Sequence, residues 1–182
     1  MPDFALVILS GRVKIAALSD DGREVTLAIR GPGDLLGEQG VIDGEPRSAT
    51  VIALDDVEAL VVAGSEFTGF LADEPEAALY VMRTLARRLR DADQKRVEFA
   101  AKDSVARVAA RLLELADRFG EHEGGLVRID LPLTQEELAG WAGASREAVT
   151  KALQGLRKLG WIETGRRTVT IRDVEALRRR AA

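Results

Sequence analysis

The segment from Leu133 to Ile171 constrains the fold of this chain more than any other stretch. Thr134 and Glu137 have the capping-box spacing, in which each side chain bonds the other's backbone N–H at the start of a helix. Apolar residues then recur at helical spacing up to Gly143, which can adopt the positive φ that a tight turn requires. Ser145 is a favourable N-cap for a second helix. The segment therefore predicts a helix-turn-helix.

The second predicted helix has an apolar face and a polar face. The polar face carries four residues: Arg146, Glu147, Thr150 and Lys151. Arg and Lys side chains match the O6 and N7 acceptors of guanine, and a Glu carboxylate accepts from cytosine N4. We interpret this face as one that reads base edges in the major groove of double-stranded DNA. The alternative is a small helical subdomain with an ordinary solvated charged face.

A predicted hairpin follows the second helix. Residues 161–163 and 168–171 alternate like strands, and Gly165, Arg166 and Arg167 lie between them. A hairpin with basic residues at its tip is typical of a wing that contacts phosphates. We expect Arg166, Arg167 and Thr134 to position the domain on the DNA backbone.

The charge of the chain is distributed unevenly. The whole sequence has a net charge of −4, whereas the segment from Leu133 onward has ten basic and six acidic residues and is therefore at +4. A basic module on an acidic body confines phosphate attraction to one end of the chain. The absence of cysteine excludes disulfides and thiolate chemistry and fits a reducing compartment. With no export signal or spanning apolar run, we predict a cytoplasmic protein without membrane contact.

The first third of the chain has the pattern of an antiparallel β structure. From Phe4 to Val62 apolar and polar residues alternate, and Asp21-Gly22 between two such runs is a strong hairpin signal. Gly31–Asp34 marks another turn. The fold class that we predict is therefore α+β, with an N-terminal antiparallel β roll and a C-terminal winged helix-turn-helix.

A long helix is predicted between these two parts, from about residue 73 to Ala100. At roughly 25 residues it would span about 37 Å, more than is needed to cover a small sheet. We therefore predict a coiled-coil homodimer; the alternative is a helix that only covers its own domain. The predicted dimer-interface residues are Met82, Leu85, Leu89 and Ala92.

Asp103 is a favourable cap for a further helix, so residues 100–103 are expected to form a hinge. The predicted domains are accordingly 1–72 (β roll), 73–102 (dimerisation helix and hinge) and 103–182 (winged helix-turn-helix).

A glycine-containing loop in the β half has the residues of a phosphate site. Gly37 and Glu38 precede it, and Arg47, Ser48 and Ala49 follow it. We expect the Arg47 guanidinium to pair with a sugar phosphate, the Ser48 hydroxyl to donate to it, and the Glu38 carboxylate to accept from ribose hydroxyls. The alternative is a Glu38–Arg47 ion pair that only ties the loop.

The β roll, the G-E…R-S-A loop, the long helix and the winged C-terminal domain together resemble the CRP/FNR family of bacterial transcription regulators. LTQEELAGWAGASREAVTKAL and GRRTVTI are similar to the DNA-binding domain of that family. The resemblance implies that Gly37, Glu38, Arg47 and Ser48 belong to a cassette for a cyclic nucleotide, with cAMP the first expectation as effector.

The resemblance also implies which residues read DNA and what the protein works with. Arg146, Glu147 and Lys151 fall on the base-reading positions, so a TGTGA–spacer–TCACA palindrome bound by a homodimer is expected. Lys151 stands where the enterobacterial cAMP receptor has Arg. RNA polymerase is the expected downstream partner.

Two features depart from the family pattern. Ala92 and Asp93 stand where the cAMP receptor has a Thr-Ser pair that contacts the nucleotide base. The Ala92 side chain cannot hydrogen-bond; Asp93 either accepts from adenine N6 or guanine N1 and N2, or is an exposed heptad acid. The leading helix and strands that family members carry before VILSGRVKI are missing from this sequence. We expect either a truncated or misassigned start, which would leave an exposed sheet edge and an incomplete pocket, or a domain that closes its sheet differently.

Other functions fit the sequence less well. An iron–sulfur sensor needs cysteines, and His122, the only histidine, lies in a polar loop typical of a surface residue rather than a haem ligand. The sequence contains no nucleophile motif, no P-loop and no histidine cluster with the spacing of metal ligands, so it gives no indication of an enzyme. Two alternatives remain: a regulator with a degenerate pocket that binds DNA without cyclic nucleotide, and a nucleotide-sensing module whose winged domain docks protein.

Overall fold

The computed structural model describes residues 3–20, 22, 24–130 and 133–182. Asp21 of the predicted hairpin turn lies outside these residues. Within them the strands are β1 (Phe4–Ser10), β2 (Val13–Leu18), β3 (Glu24–Arg30), β4 (Leu35–Leu36), β5 (Thr50–Ala53), β6 (Glu58–Ala63), β7 (Glu121–Glu123), β8 (Leu126–Asp130), β9 (Ile162–Gly165) and β10 (Thr168–Ile171). The helices are α1 (Glu38–Asp43), α2 (Gly64–Asp73), α3 (Pro75–Ala101), α4 (Ser104–Phe119), α5 (Gln135–Ala142), α6 (Arg146–Lys158) and α7 (Val174–Ala181).

The chain divides into two compact units, one formed by residues up to 22 with 27–96, the other by residues 23–26 with 97–182. The first unit holds two three-stranded sheets, in the orders β4-β1-β6 and β3-β2-β5. β1 pairs antiparallel with β6 from Phe4↔Ala63 onward, and β2 pairs antiparallel with β5. Ala5 and Ile8 lie three positions apart on β1, so they point to opposite faces of the strand, and each is buried in a different apolar cluster. This is the predicted antiparallel β roll.

Helix α3 packs one side on the β roll. Val81 is buried in a cluster with Ala5, Leu35 and Phe67, and Leu85 packs partly buried against the same cluster. The helix has 27 residues and is therefore about 40 Å long. It ends at Ala101, at the break that the sequence predicted.

The second unit packs four helices on one four-stranded sheet, in the order β7-β8-β10-β9. Helix α4 is central, in contact with α5, α6 and α7. Its N-cap is Asp103, whose carboxylate accepts from the Ala106 N–H at 2.8 Å. The fully buried residues Leu112, Leu138, Leu156 and Ile171 come from four different elements, so the core holds the whole winged domain together.

No helix within the described part of the chain is both long and apolar enough to cross a membrane. The fold class predicted from the sequence, a β roll with a long helix and a winged helix-turn-helix, is confirmed.

Candidate functional site: the recognition helix and the phosphate loop

The helix-turn-helix begins with a complete capping box at Thr134. The Glu137 N–H donates to Thr134 Oγ1 at 3.1 Å, and the Thr134 N–H donates to Glu137 Oε2 at 2.8 Å. The turn after α5 places Gly143 in the left-handed region at φ 57°, which favours glycine. A Cβ there would also lie 1.7 Å from the Phe99 ring, so both backbone and packing require glycine at this position.

Helix α6 presents the predicted polar face outward. Ser145 caps it, accepting from the Ala148 N–H at 3.2 Å. The apolar residues on the inner face are buried: Val149, Ala152, Leu153 and Leu156. Arg146, Glu147 and Lys151 are consequently exposed, whereas Thr150 is half-buried. The Thr150 hydroxyl lies 3.0 Å from Gln135 Oε1, which links the first turn of α5 to the outer face of α6.

The electrostatics of this face keep Glu147 ionised. Its own backbone N–H and the Ser145 hydroxyl donate to the carboxylate and lower the pKa of Glu147, and the charges of Arg146 and Lys151 lower it further. An ionised carboxylate is an acceptor only, as a contact to a cytosine amino group requires. The exposed face of α6 therefore presents one hydrogen-bond acceptor, the Glu147 carboxylate, together with two cations, Arg146 and Lys151.

The wing is a tight hairpin of β9 and β10. Gly165 pairs with Thr168, so Arg166 and Arg167 alone form the turn, and both are exposed. Arg167 adopts φ 56°, which is uncommon for a residue with a side chain. Two adjacent guanidinium groups thus lie at the tip, as the sequence predicted for a phosphate contact.

Arg107, which the sequence did not single out, ties the turn of the helix-turn-helix to helix α4. Its Nε donates to Ala142 O at 2.7 Å and its Nη2 to Gly143 O at 2.9 Å, while Nη1 donates to Lys102 O. The last carbonyls of α5 thereby gain a charged donor. No local pattern reveals this contact, because the partners lie about 35 residues apart.

In the predicted phosphate loop (residues 37–49), the Arg47 guanidinium donates to backbone carbonyls. Its Nη1 donates to Gly37 O at 2.6 Å and its Nη2 to Phe4 O, and the guanidinium lies 4.8 Å from the centre of the Phe4 ring. Gly37 has φ 77°, and a Cβ there would lie 2.3 Å from Arg47 Nη1, so the close approach requires glycine. Arg47 and Ser48 are exposed, and Ala49 is half-buried.

Glu38 is buried, and its partner is on helix α3. Arg88 Nη1 donates to Glu38 Oε1 at 2.7 Å, and Arg88 Nη2 donates to Leu35 O at 2.6 Å. The alternative that Glu38 forms an ion pair with Arg47 is therefore wrong, because Glu38 lies inside the roll while Arg47 lies over Phe4. The sequence missed Arg88, although its position seven residues after Val81 places it on the helix face that packs on the roll.

The remaining predicted residues lie on helix α3. Met82, Leu89 and Ala92 are exposed, whereas Leu85 is partly buried against the roll. Asp93 pairs with Arg96 of the same helix at 3.4 Å.

A winged helix-turn-helix whose second helix has an exposed, charged face, on a chain that also carries an antiparallel β roll, defines the class of DNA-binding transcription regulators. The family described as Crp-like helix-turn-helix domain matches residues 106–180, and the family described as cyclic nucleotide-binding domain matches residues 1–74. Both of the modules inferred from the structure are therefore matched in the sequence.

Individual relatives agree. The chain is 42% identical over 179 residues to a "CRP-like cAMP-activated global transcriptional regulator" of Mycobacterium tuberculosis, covering 98% of this chain and 80% of that protein. It is 34% identical over 171 residues to a "Cyclic AMP receptor protein" of Thermus thermophilus, covering 94% and 76%. A solved structure of a CRP-family transcriptional regulator, also from Thermus thermophilus, superposes with a TM-score of 0.81 at 29% identity, covering 99% of this chain and 88% of that one.

The chain belongs to the CRP family of transcription regulators. It is a regulator with a cyclic nucleotide-binding domain and a Crp-like helix-turn-helix domain, and not an enzyme.

Proposed function

We propose that this protein is a homodimeric, sequence-specific regulator that binds a TGTGA-like palindrome and responds to a cyclic nucleotide, cAMP first. The observation that carries the DNA-binding part is the exposed face of α6, where Arg146, Glu147 and Lys151 lie beside one another. Arg146 and Lys151 would contact guanines and Glu147 a cytosine. Thr134, Arg166 and Arg167 would position the domain on phosphates, and Ser145 and Thr150 would be further DNA contacts.

The dimer sets the spacing of the two recognition helices. Pairing through α3 would place them one turn of DNA apart, about 34 Å, so that each reads one half-site of a palindrome. In this arrangement residues 1–72 sense the effector, 73–102 pair the subunits and 103–182 bind DNA. A regulator of this kind would act on RNA polymerase in the cytoplasm.

The DNA-binding proposal is tested by fluorescence anisotropy on a TGTGA–spacer–TCACA duplex and on a scrambled duplex of equal length, at one salt concentration. Arg146→Ala removes a base contact and is expected to cost about 1–3 kcal/mol on the palindrome alone. Arg167→Ala removes a phosphate contact and is expected to weaken binding to both duplexes equally. Equal losses on both duplexes for Arg146→Ala would overturn the base-reading assignment.

The ligand proposal rests on the phosphate loop. Arg47 is exposed, and the hydrogen bond from its Nη1 to the Gly37 carbonyl holds its guanidinium against the start of the loop. The Mycobacterium tuberculosis relative is described as cAMP-activated, which makes cAMP the first compound to test. In calorimetric titration with cAMP and then cGMP, Arg47→Ala is expected to abolish binding. Arg83→Ala, an exposed arginine on α3, is the matched control and should bind as the wild type does.

A second candidate is a regulator that binds DNA without a cyclic nucleotide. Two observations favour it. The Ala92 side chain cannot hydrogen-bond to the base of a nucleotide, and the Arg47 guanidinium already donates hydrogen bonds to two backbone carbonyls. Wild-type protein that binds the palindrome equally well with and without either nucleotide, and that gives no heat on titration, would establish this candidate over the first.

A further inference from the structure

Helix α3 carries an exposed apolar seam that repeats every seven residues. Met82 is 58% exposed and Leu89 is 63% exposed, and Leu79, one turn before Met82, is 41% exposed. A seven-residue repeat of exposed apolar residues is the pattern of a helix that pairs with another helix. The next position of this repeat, however, is Arg96, whose side chain is 82% exposed.

Arg96 has a partner of opposite charge on the same helix. Its Nη1 lies 3.4 Å from Asp93 Oδ1, and the Asp93 side chain is 58% exposed. Arg96 follows Leu89 by seven residues, so it has the same heptad position as Met82 and Leu89. If that position is a, Asp93 is at position e, beside the seam; if it is d, Asp93 is at position a, in the seam. Long side chains on a helix point toward its N-terminus, so Arg96 reaches back toward the level of Asp93.

A parallel, in-register pair of α3 helices would bring the two Arg96 side chains opposite each other. Two guanidinium groups alone would repel at this level. The two Asp93 carboxylates, one from each subunit, give the layer two positive and two negative charges, so the surface is complementary to a second copy of itself. An antiparallel or shifted pairing would instead place these charges against the apolar Met82–Leu89 part of the seam, where they would be desolvated without partners.

We infer that Asp93 and Arg96 form a reciprocal four-charge layer between two copies of this chain, with each Arg96 shared between its own Asp93 and the Asp93 of the other copy. The layer fixes the parallel, in-register pairing of the homodimer, at some cost in stability relative to an apolar pair. This inference rests on the proposed homodimer, and it gives Asp93 a role in pairing that does not depend on any nucleotide.

The test is the dimer dissociation constant of the full chain, measured by sedimentation equilibrium without nucleotide at several salt concentrations. Asp93→Ala leaves the Arg96 pair uncompensated and is expected to raise the dissociation constant roughly tenfold, within the range of coupled contacts. Asp91→Ala is the matched control, since Asp91 is also exposed but lies about 180° around the helix from Met82. It should leave the constant unchanged.

A charge exchange completes the test. Arg96→Asp places four carboxylates in one layer and is expected to abolish the dimer, whereas the double variant Asp93→Arg/Arg96→Asp restores opposite charges and should restore it. A wild-type dimer that tolerates Asp93→Ala as well as it tolerates Asp91→Ala, or a double variant that stays monomeric while folded by circular dichroism, overturns the charge layer alone. A wild-type chain that is monomeric throughout overturns the proposed homodimer and the layer with it.

Discussion

Glu98 and Arg111 form a buried ion pair that ties the last turns of α3 to α4. The pair joins Glu98 Oε2 to Arg111 Nη2, and the two side chains are only 10% and 6% exposed. Lys102 Nζ lies 3.5 Å from the other Glu98 oxygen. We predict that Glu98→Ala lowers the free energy of unfolding substantially, because it leaves a buried guanidinium without this partner.

The structure sets the magnitude. Removing one partner of a buried pair costs about 3–5 kcal/mol. Arg111 keeps Glu114 at 3.1 Å, and that carboxylate is 26% exposed, so the lower end of the range, about 3 kcal/mol, is expected. For a chain of this size that corresponds to a decrease in Tm of roughly 6–12 °C.

Tryptophan fluorescence during urea unfolding is the appropriate assay. Both tryptophans, Trp141 and Trp161, belong to the winged unit, and the Trp141 ring lies 5.6 Å from the Arg111 guanidinium. Glu175→Ala is the control, because it breaks an exposed pair with Arg178 and should cost no more than about 0.5 kcal/mol. If the two variants lose equal stability, the reasoning about burial is refuted.

Three further predictions concern the caps and the turn. Thr134→Ala removes the capping box and should cost about 1 kcal/mol in urea unfolding, whereas Thr134→Ser should retain most of it. Gly143→Ala should cost more than that, because φ is positive and the Phe99 ring fills the space; a variant as stable as wild type would contradict this packing. The pKa of Asp103 is lowered by the Ala106 N–H and then by Arg180. Ionised Asp103 therefore contributes to the free energy of unfolding above its ordinary pKa of 3.8, and this contribution is lost as the pH falls through the lowered value. Asp103→Asn should flatten this part of the dependence of the free energy of unfolding on pH.

The sequence determined the features that depend on neighbouring residues. The capping box at Thr134, the glycine turn at Gly143, the Ser145 cap and the buried face of α6 all involve residues within about four positions of each other. Such contacts are set by helix geometry, so spacing alone predicts them. The outward position of Arg146 and Lys151 follows, because burying one face of a helix exposes the other.

The tertiary structure decided the contacts between distant residues. Arg88 rather than Arg47 is the partner of Glu38, 50 residues away, and Arg107 bonds the carbonyls of Ala142 and Gly143, 35 and 36 residues away. A long arginine side chain can reach several acceptors, and a carboxylate such as that of Glu38 can pair with an arginine from its own loop or from a neighbouring helix. Which partner is chosen depends on how α3 and α4 pack on the elements beside them, and no spacing along the chain encodes that packing.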